Sequence, residues 1–192
     1  MKNIAIFASG SGTNAENIIT YFSTKNSAKV TIVFSNRKDS FVLERARRLN
    51  VPSLFFERNE FYNTEFILNF LVSHKIDFIV LAGFLWLIPE NILKVYNGRI
   101  VIIHPALLPR YGGTGMYGDH VHNTFIKNGE KESGITIHFV NESYDEGDII
   151  FQARCKIDSS DTPDSLAQKI HLLEYQHYPK IIERLILKLE NQ

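Results

Sequence analysis

Disulfides are the first thing this chain cannot have. Its 192 residues include one cysteine, Cys155, so no intrachain bridge can form and no cysteine-rich metal site can be built. An excess of either charge is also missing. Lys plus Arg and Asp plus Glu number 21 each, which argues against a protein whose main work is to coat nucleic acid. Long apolar runs are absent too. The opening Met1-Lys2-Asn3-Ile4-Ala5-Ile6-Phe7 holds an apolar stretch too short for a signal peptide. No run approaches the roughly 20 residues of a membrane span. A soluble, cytoplasmic protein without a membrane partner is expected. No repeat or low-complexity segment interrupts the chain.

What is present is ordinary globular stock. Apolar residues make up 44% and charged residues 22%, enough for a core without disulfides. The length suits one compact α/β domain over residues 1–192. Basic residues gather at Arg37 and Lys38 and again at Arg45, Arg47 and Arg48. The second group falls within one helical turn and reads as a solvated helix face.

Hydrophobic period gives the organisation. Strands are expected at Asn3–Ala8, Val30–Ser35, Ser53–Phe56, Phe78–Ala82 and Arg99–His104. Between them fall helices over Thr13–Phe22, Val42–Leu49 and Phe61–His74, and one with Pro89 in its first turn that runs to about Tyr96. Phe78–Ala82 has no polar residue, so it should be buried on both faces. This alternation implies a mostly parallel sheet with helices on both faces. Residues 105–119 hold two prolines and four glycines, too many for regular structure. Gly134–Val140 and Ile149–Lys156 have no helix between them and read as an antiparallel pair. Thr162 as N-cap and Pro163 at the first helical position open a long final helix.

Three loops carry unusual residues at the edge where open parallel sheets bind ligands. Ala8-Ser9-Gly10-Ser11-Gly12-Thr13-Asn14 joins the first strand to the first helix. Free N–H groups and the helix dipole there attract a phosphate, and glycine allows close approach. A tight turn with no ligand is the plain alternative. Gly10-x-Gly12-x-x-Ala15 also loosely matches a dinucleotide fingerprint. Ser35-Asn36-Arg37-Lys38 after the second strand would suit a 2′-phosphate, so an NADP-dependent oxidoreductase is a competing reading. The second loop starts Ile103-His104-Pro105-Ala106-Leu107-Leu108-Pro109. Its histidine ends a buried strand and is stiffened by the proline; it serves either chemistry or structure. The third, Asn141-Glu142-Ser143-Tyr144-Asp145-Glu146-Gly147-Asp148, is an acidic turn whose spacing does not fit an EF-hand. An aspartate from it placed beside His104 would favour the imidazolium and raise its pKa. His120 and His122, in or near the flexible loop, lack further zinc ligands. His138 shares a strand face with Thr136, and His74, His171 and His177 read as helix-surface residues.

Four segments, taken in order and at this spacing, are similar to one known family. They are Ala8-Ser9-Gly10-Ser11-Gly12-Thr13-Asn14, Leu81-Ala82-Gly83-Phe84, His104-Pro105-Ala106-Leu107-Leu108-Pro109, and Gly134-Ile135-Thr136-Ile137-His138-Phe139-Val140 followed by Asp145. The chain resembles the phosphoribosylglycinamide formyltransferases, folate-dependent enzymes of purine synthesis, from Asn3 to about Leu187. The resemblance implies a single Rossmann-like domain, small-molecule substrates, and a monomer or homodimer. It makes 10-formyltetrahydrofolate the co-substrate, with no metal. Gly12, Thr13 and Asn14 would hold the substrate phosphate and Glu174 its ribose. Leu85, Trp86, Leu87 and Ile88 would line the pterin pocket, partly through backbone groups, with the loop from Asn141 to Asp145 closing the other side. His104 would be the catalytic acid and Asp145 its charge partner.

The chain departs from that family's pattern at Ile102, beside the folate, where asparagine normally stands two residues before the catalytic histidine. Isoleucine cannot donate to a formyl oxygen. Loss of one such donor elsewhere costs about 3–4 kcal/mol. Residues 110–118 are also longer than the usual family loop. Two further readings therefore stand beside the first: formyl transfer to another amine, such as an aminoacyl-tRNA or amino sugar, and a catalytically idle folate- or nucleotide-binding relative.

Overall fold

The computed structural model describes residues 1–113, 115, 116 and 118–189. Thr114 and Tyr117, inside the 105–119 stretch expected to lack regular structure, lie outside the described residues. Strands β1 (Lys2–Phe7), β2 (Ala28–Ser35), β3 (Ser53–Phe55), β4 (Phe78–Leu81) and β5 (Ile100–His104) pair in parallel. Strands β6 (Glu132–Phe139) and β7 (Ile149–Lys156) extend the sheet in antiparallel fashion, so its order is β3-β2-β1-β4-β5-β6-β7. Every residue of β4 is buried, as its wholly apolar sequence requires. The antiparallel switch comes one strand earlier than the sequence pattern marked, between β5 and β6.

Two apolar layers hold helices to the sheet. On one face Ile4, Ile6, Val80, Val101, Ile135 and Ile137 pack beneath α1 (Thr13–Phe22), α2 (Phe41–Arg48), α6 (Asp119–Lys127) and α7 (Pro163–Leu189). On the other, Ala5, Phe7, Phe34, Ile79, Leu81 and Ile100 pack beneath α3 (Arg58–Tyr62), α4 (Phe66–Ser73) and α5 (Glu90–Val95). This second layer is rich in aromatic rings. Phe7 stacks on Phe34 at 4.7 Å between centroids, and Phe56, Phe61, Phe84 and Trp86 meet around it mostly edge to face, the geometry that ring quadrupoles favour. The middle of α7 is fixed to the sheet by Tyr178. Its buried hydroxyl lies 3.0 and 3.2 Å from the carbonyls of Leu81 and Val101, and burial holds its pKa well above the phenol range.

Three expectations about elements need correction. The helix expected over Phe61–His74 is two helices. A reciprocal cap between Glu57 and Glu60 opens α3 early. Thr64 then breaks the run: its hydroxyl donates to the Glu60 carbonyl at 2.8 Å and accepts from the Phe66 amide at 3.1 Å. The break has a packing reason. Phe61 and Ile67 are both buried in the same layer, yet six positions along one continuous helix lie about 120° apart around its axis. Pro89 caps α5 in an extended conformation and precedes its first turn. Finally, the sequence pattern marks no helix where α6 lies; His120 and His122, expected in or near the flexible loop, fall on it, one exposed and the other buried.

Candidate active site

A cleft of about 430 Å³ runs along the carboxyl edge of the parallel strands, where that sheet type places ligands. One end is the turn from β1 into α1. Gly10 through Asn14 line it, with Arg37 beside them. Gly12 caps α1 in the left-handed region at φ 77° and touches α2 closely; a Cβ there would lie 2.4 Å from Val42 Cγ2. Glycine is thus required twice over, by conformation and by space. Gly12→Ala should destabilise the fold by about 1–3 kcal/mol in urea titrations; a loss under half of that would mean that α2 simply moves aside. The turn is also tied to the end of β4. The Ser9 amide donates to the Gly83 carbonyl at 3.0 Å, and the Ser9 hydroxyl accepts from the Leu85 amide at 3.1 Å.

Glu174 projects from α7 into the same end. It is 6% exposed, and its Oε2 accepts from Asn14 Nδ2 at 2.9 Å. Burial pushes its carboxyl up to about 7, against a smaller opposing effect of the Asn14 hydrogen bond. The Oδ1 of Asn14 is buried without a protein partner. The raised carboxyl makes stability depend on pH in a definite sense. Below the unfolded value of 4.5 both states hold the proton and the contribution is complete. As pH rises toward 7 the unfolded chain ionises while the folded one resists, so stability falls by about 3 kcal/mol in all. Glu174→Gln should flatten this fall in the unliganded protein; identical thermal melts of mutant and parent from pH 5 to pH 8 would contradict it.

The middle of the cleft holds His104 and Asp145, with His138 behind Asp145. The cross-strand register sets Ile102 opposite His138 and His104 opposite Thr136, so these four side chains share one sheet face. The loop after β6 folds back over that face. Gly147 makes this possible, because a Cβ there would sit 1.7 Å from the Phe139 carbonyl oxygen. Asp145, at φ 57°, thereby reaches both histidines: Oδ2 lies 3.5 Å from His104 Nδ1 and Oδ1 lies 3.6 Å from His138 Nε2. Each histidine uses its other nitrogen on a backbone carbonyl. His104 Nε2–H donates to Tyr111 at 2.7 Å and His138 Nδ1–H to Phe139 at 2.7 Å. The Gly113 amide donates to Asp145 Oδ2 at 2.9 Å. Burial pushes Asp145 up, but the neighbouring His138 and His104 rings and the Gly113 amide together outweigh it and hold the carboxyl below its usual range.

The aspartate stands beside His104 as anticipated, yet the net shift of the histidine is opposite to the one anticipated. Burial lowers its pKa, and Asp145 and the Tyr111 carbonyl, which both raise it, do not make up the difference. His104 is only 5% exposed, so desolvation of the imidazolium decides the sign.

The remaining expected site residues divide. Leu85 and Ile102 line the cleft. Trp86 and Ile88 belong to the aromatic layer behind it, and the Leu87 carbonyl accepts from the Tyr62 hydroxyl at 2.9 Å. Asn141 is exposed, its Oδ1 taking the Ser143 amide at 3.0 Å. Three lining residues had no individual role in the formyl-transfer reading of the sequence. His122, His171 and Tyr144 line the cleft, and the Tyr144 hydroxyl lies 3.4 Å from the Leu85 carbonyl. The helical period of α7 offered one usable signal, since His171 and Glu174 are three apart and share a face.

A buried acid–base pair at the edge of a parallel sheet, next to a helix N-terminus fit for an anion, is the equipment of a group-transfer enzyme. The family model described as formyl transferase matches residues 2–182, and the chain belongs to that family. It is 38% identical to the phosphoribosylglycinamide formyltransferase of Bacillus subtilis, over 97% of this chain and 95% of that one. The solved phosphoribosylglycinamide formyltransferase of Bacillus halodurans superposes with a TM-score of 0.87 at 35% identity, covering 99% of this chain and 98% of that one. That of Streptococcus pneumoniae gives 0.84 at 39% identity, with 96% and 99% covered. Family membership, and nothing in the glycine loop itself, separates formyl transfer from the nicotinamide reading.

Proposed function

We propose that residues 1–192 form one formyltransferase domain that moves a formyl group from 10-formyltetrahydrofolate to the amine of 5′-phosphoribosylglycinamide. The reading rests above all on one observation: the His104–Asp145 pair opens into the same cleft as the Gly12–Asn14 turn and Glu174. Gly12, Thr13 and Asn14 hold the phosphate on the α1 N-terminus, with Arg37 adding a positive charge at the rim. Glu174 takes the ribose hydroxyls. Leu85 and Ile102 face the folate, supported by the backbone of residues 86–88. Partners are small molecules rather than nucleic acid, and the compartment is the cytoplasm. Among the described residues no helix is long and apolar enough to cross a membrane.

The substrate amine attacks the formyl carbon, and a new C–N bond forms as negative charge collects on the formyl oxygen. His104 donates to that oxygen through the proton it carries on Nδ1, the ring nitrogen not held by the Tyr111 carbonyl. Burial makes its imidazolium, once formed, a stronger acid than a free one. The amine loses its extra proton by way of Asp145 or water, and the departing folate nitrogen gains one as its C–N bond breaks. No net proton is consumed. Holding both substrates in one cleft supplies much of the remaining acceleration.

The test is a formyl-transfer assay with both substrates and the chain as it stands. Turnover of the ribonucleotide supports the reading. Turnover of an amino sugar or aminoacyl-tRNA in its place would transfer the chemistry to another amine. Binding of neither substrate would overturn the assignment.

A further inference from the structure

The loop after β5 closes on the acid–base pair through its main chain, and the residue that meets His104 is tied down by its own side chain. Tyr111 has a left-handed backbone, at φ 59°, which turns its carbonyl onto His104 Nε2 at 2.7 Å. Two residues on, the Gly113 amide meets Asp145 Oδ2 at 2.9 Å. The Tyr111 side chain points the other way, into α6 and the turn after it. Its ring lies 4.1 Å from that of Phe125. Its hydroxyl donates to Glu130 Oε1 at 2.6 Å and accepts from Asn128 Nδ2 at 3.1 Å. Arg110 pairs with the same Glu130 oxygen. The carbonyl that meets His104 is therefore held in place from 19 residues further along the chain.

We propose that Tyr111 is a positioning residue for formyl transfer: anchored by Phe125, Asn128 and Glu130, it presents its carbonyl to His104 Nε2 and so fixes which nitrogen of His104 faces Asp145. This rests on the reading of His104 as the catalytic acid. The tautomer follows from the geometry. With Nε2–H committed to Tyr111, Nδ1 faces the carboxylate, and the second proton that makes His104 an acid is received there, between the ring and Asp145. Without the carbonyl the ring is free to flip or to carry its one proton on Nδ1, and the acid no longer has a defined direction. The groups facing His104 are Asp145 from the β6–β7 loop, His138 from β6, and, across the cleft, His122 of α6 and Glu174 of α7. The carbonyl of Tyr111 acts with Asp145 in favouring the imidazolium, while His138 opposes it.

Two variants grade the anchor. Tyr111→Phe keeps the ring on Phe125 and loses only the hydroxyl contacts; Tyr111→Gly keeps the left-handed backbone and loses every contact of the side chain, while the Arg110–Glu130 pair and the Gly113–Asp145 hydrogen bond remain. Histidine ring nitrogens, labelled with 15N and followed by NMR through a pH titration, report the His104 tautomer and pKa without reference to turnover. The expected result is a His104 pKa that falls from parent to Tyr111→Phe to Tyr111→Gly, with the Nε2–H signal giving way to a mixture. In the assay kcat should drop roughly threefold to tenfold for Tyr111→Gly, KM should change less than twofold, and the pH limb assigned to His104 should move to lower pH. An unchanged His104 titration in folded Tyr111→Gly would overturn the positioning role. Full turnover by His104→Asn would instead overturn the catalytic reading and leave the NMR result standing as a statement about structure, so the two failures are distinguishable.

Discussion

His104→Asn is expected to lower kcat by at least a hundredfold while both substrates still bind. A positioned general acid contributes about 10²–10⁴ to rate, and asparagine can hold a hydrogen bond but cannot deliver a proton. Asparagine puts a polar atom near the position of Nδ1, facing Asp145, and gives up the contact of Nε2 to the Tyr111 carbonyl, a loss of one hydrogen bond that the fold should survive. Rapid-quench single-turnover kinetics separate chemistry from product release, and calorimetric titration of each substrate checks that the cleft still forms. A mutant within tenfold of the parent, with unaltered binding, would show that His104 is not the acid. Loss of binding and rate together would place His104 among the residues that shape the cleft.

Ile102→Asn should act in the opposite direction and raise kcat by about tenfold or more. Ile102 lines the cleft, on the same sheet face as His104 and directly opposite His138. A carboxamide there stands two residues from the acid, where its NH₂ donates to the formyl oxygen as charge develops. Donors of this kind are worth about 3–4 kcal/mol where they are native. A fraction of that is expected in a site adapted to isoleucine. The residue is only partly buried at the edge of the aromatic layer, so the penalty for a polar replacement is modest. Ile102→Ala is the control, because it opens the same space without adding a donor. A rate increase in both variants would mean that isoleucine merely obstructs the site. No increase in either would mean that other groups already serve the formyl oxygen.

The sequence was most readable where side-chain period and backbone demand coincide. The α1 helix over Thr13–Phe22 and the β7 strand over Ile149–Lys156 have the bounds that their patterns indicated. Thr162 caps α7 as its position suggested, accepting from the Ser165 amide at 3.2 Å. Reading failed where the main chain does the work. Nothing in the letters around Tyr111 says that its carbonyl meets a histidine, or that Gly113 presents an amide to Asp145. Nor does strand alternation reveal that the acidic loop folds back far enough for one aspartate to face both His104 and His138. The break between α3 and α4 was hidden for another reason. Thr64 sits between Asn63 and Glu65 in a polar step that an exposed helix face also tolerates, and only packing shows that Phe61 and Ile67 need the same side. The shift of His104 was misjudged because pairing with Asp145 can be imagined from sequence, whereas the cost of enclosing an imidazolium cannot.

The lone tryptophan has a use unconnected with chemistry. Trp86 follows the cleft-lining Leu85, lies about 6 Å from the rings of Phe56, Phe61 and Tyr62, and has the Arg58 guanidinium 5.4 Å above it. With one indole in the chain, emission excited at the red edge arises from a single place, one residue from the cleft wall. Any ligand that shifts Leu85 or lifts Arg58 from the ring alters the colour or lifetime of that light. The protein therefore carries its own optical gauge of cleft occupancy, and no dye or label has to be attached to read it.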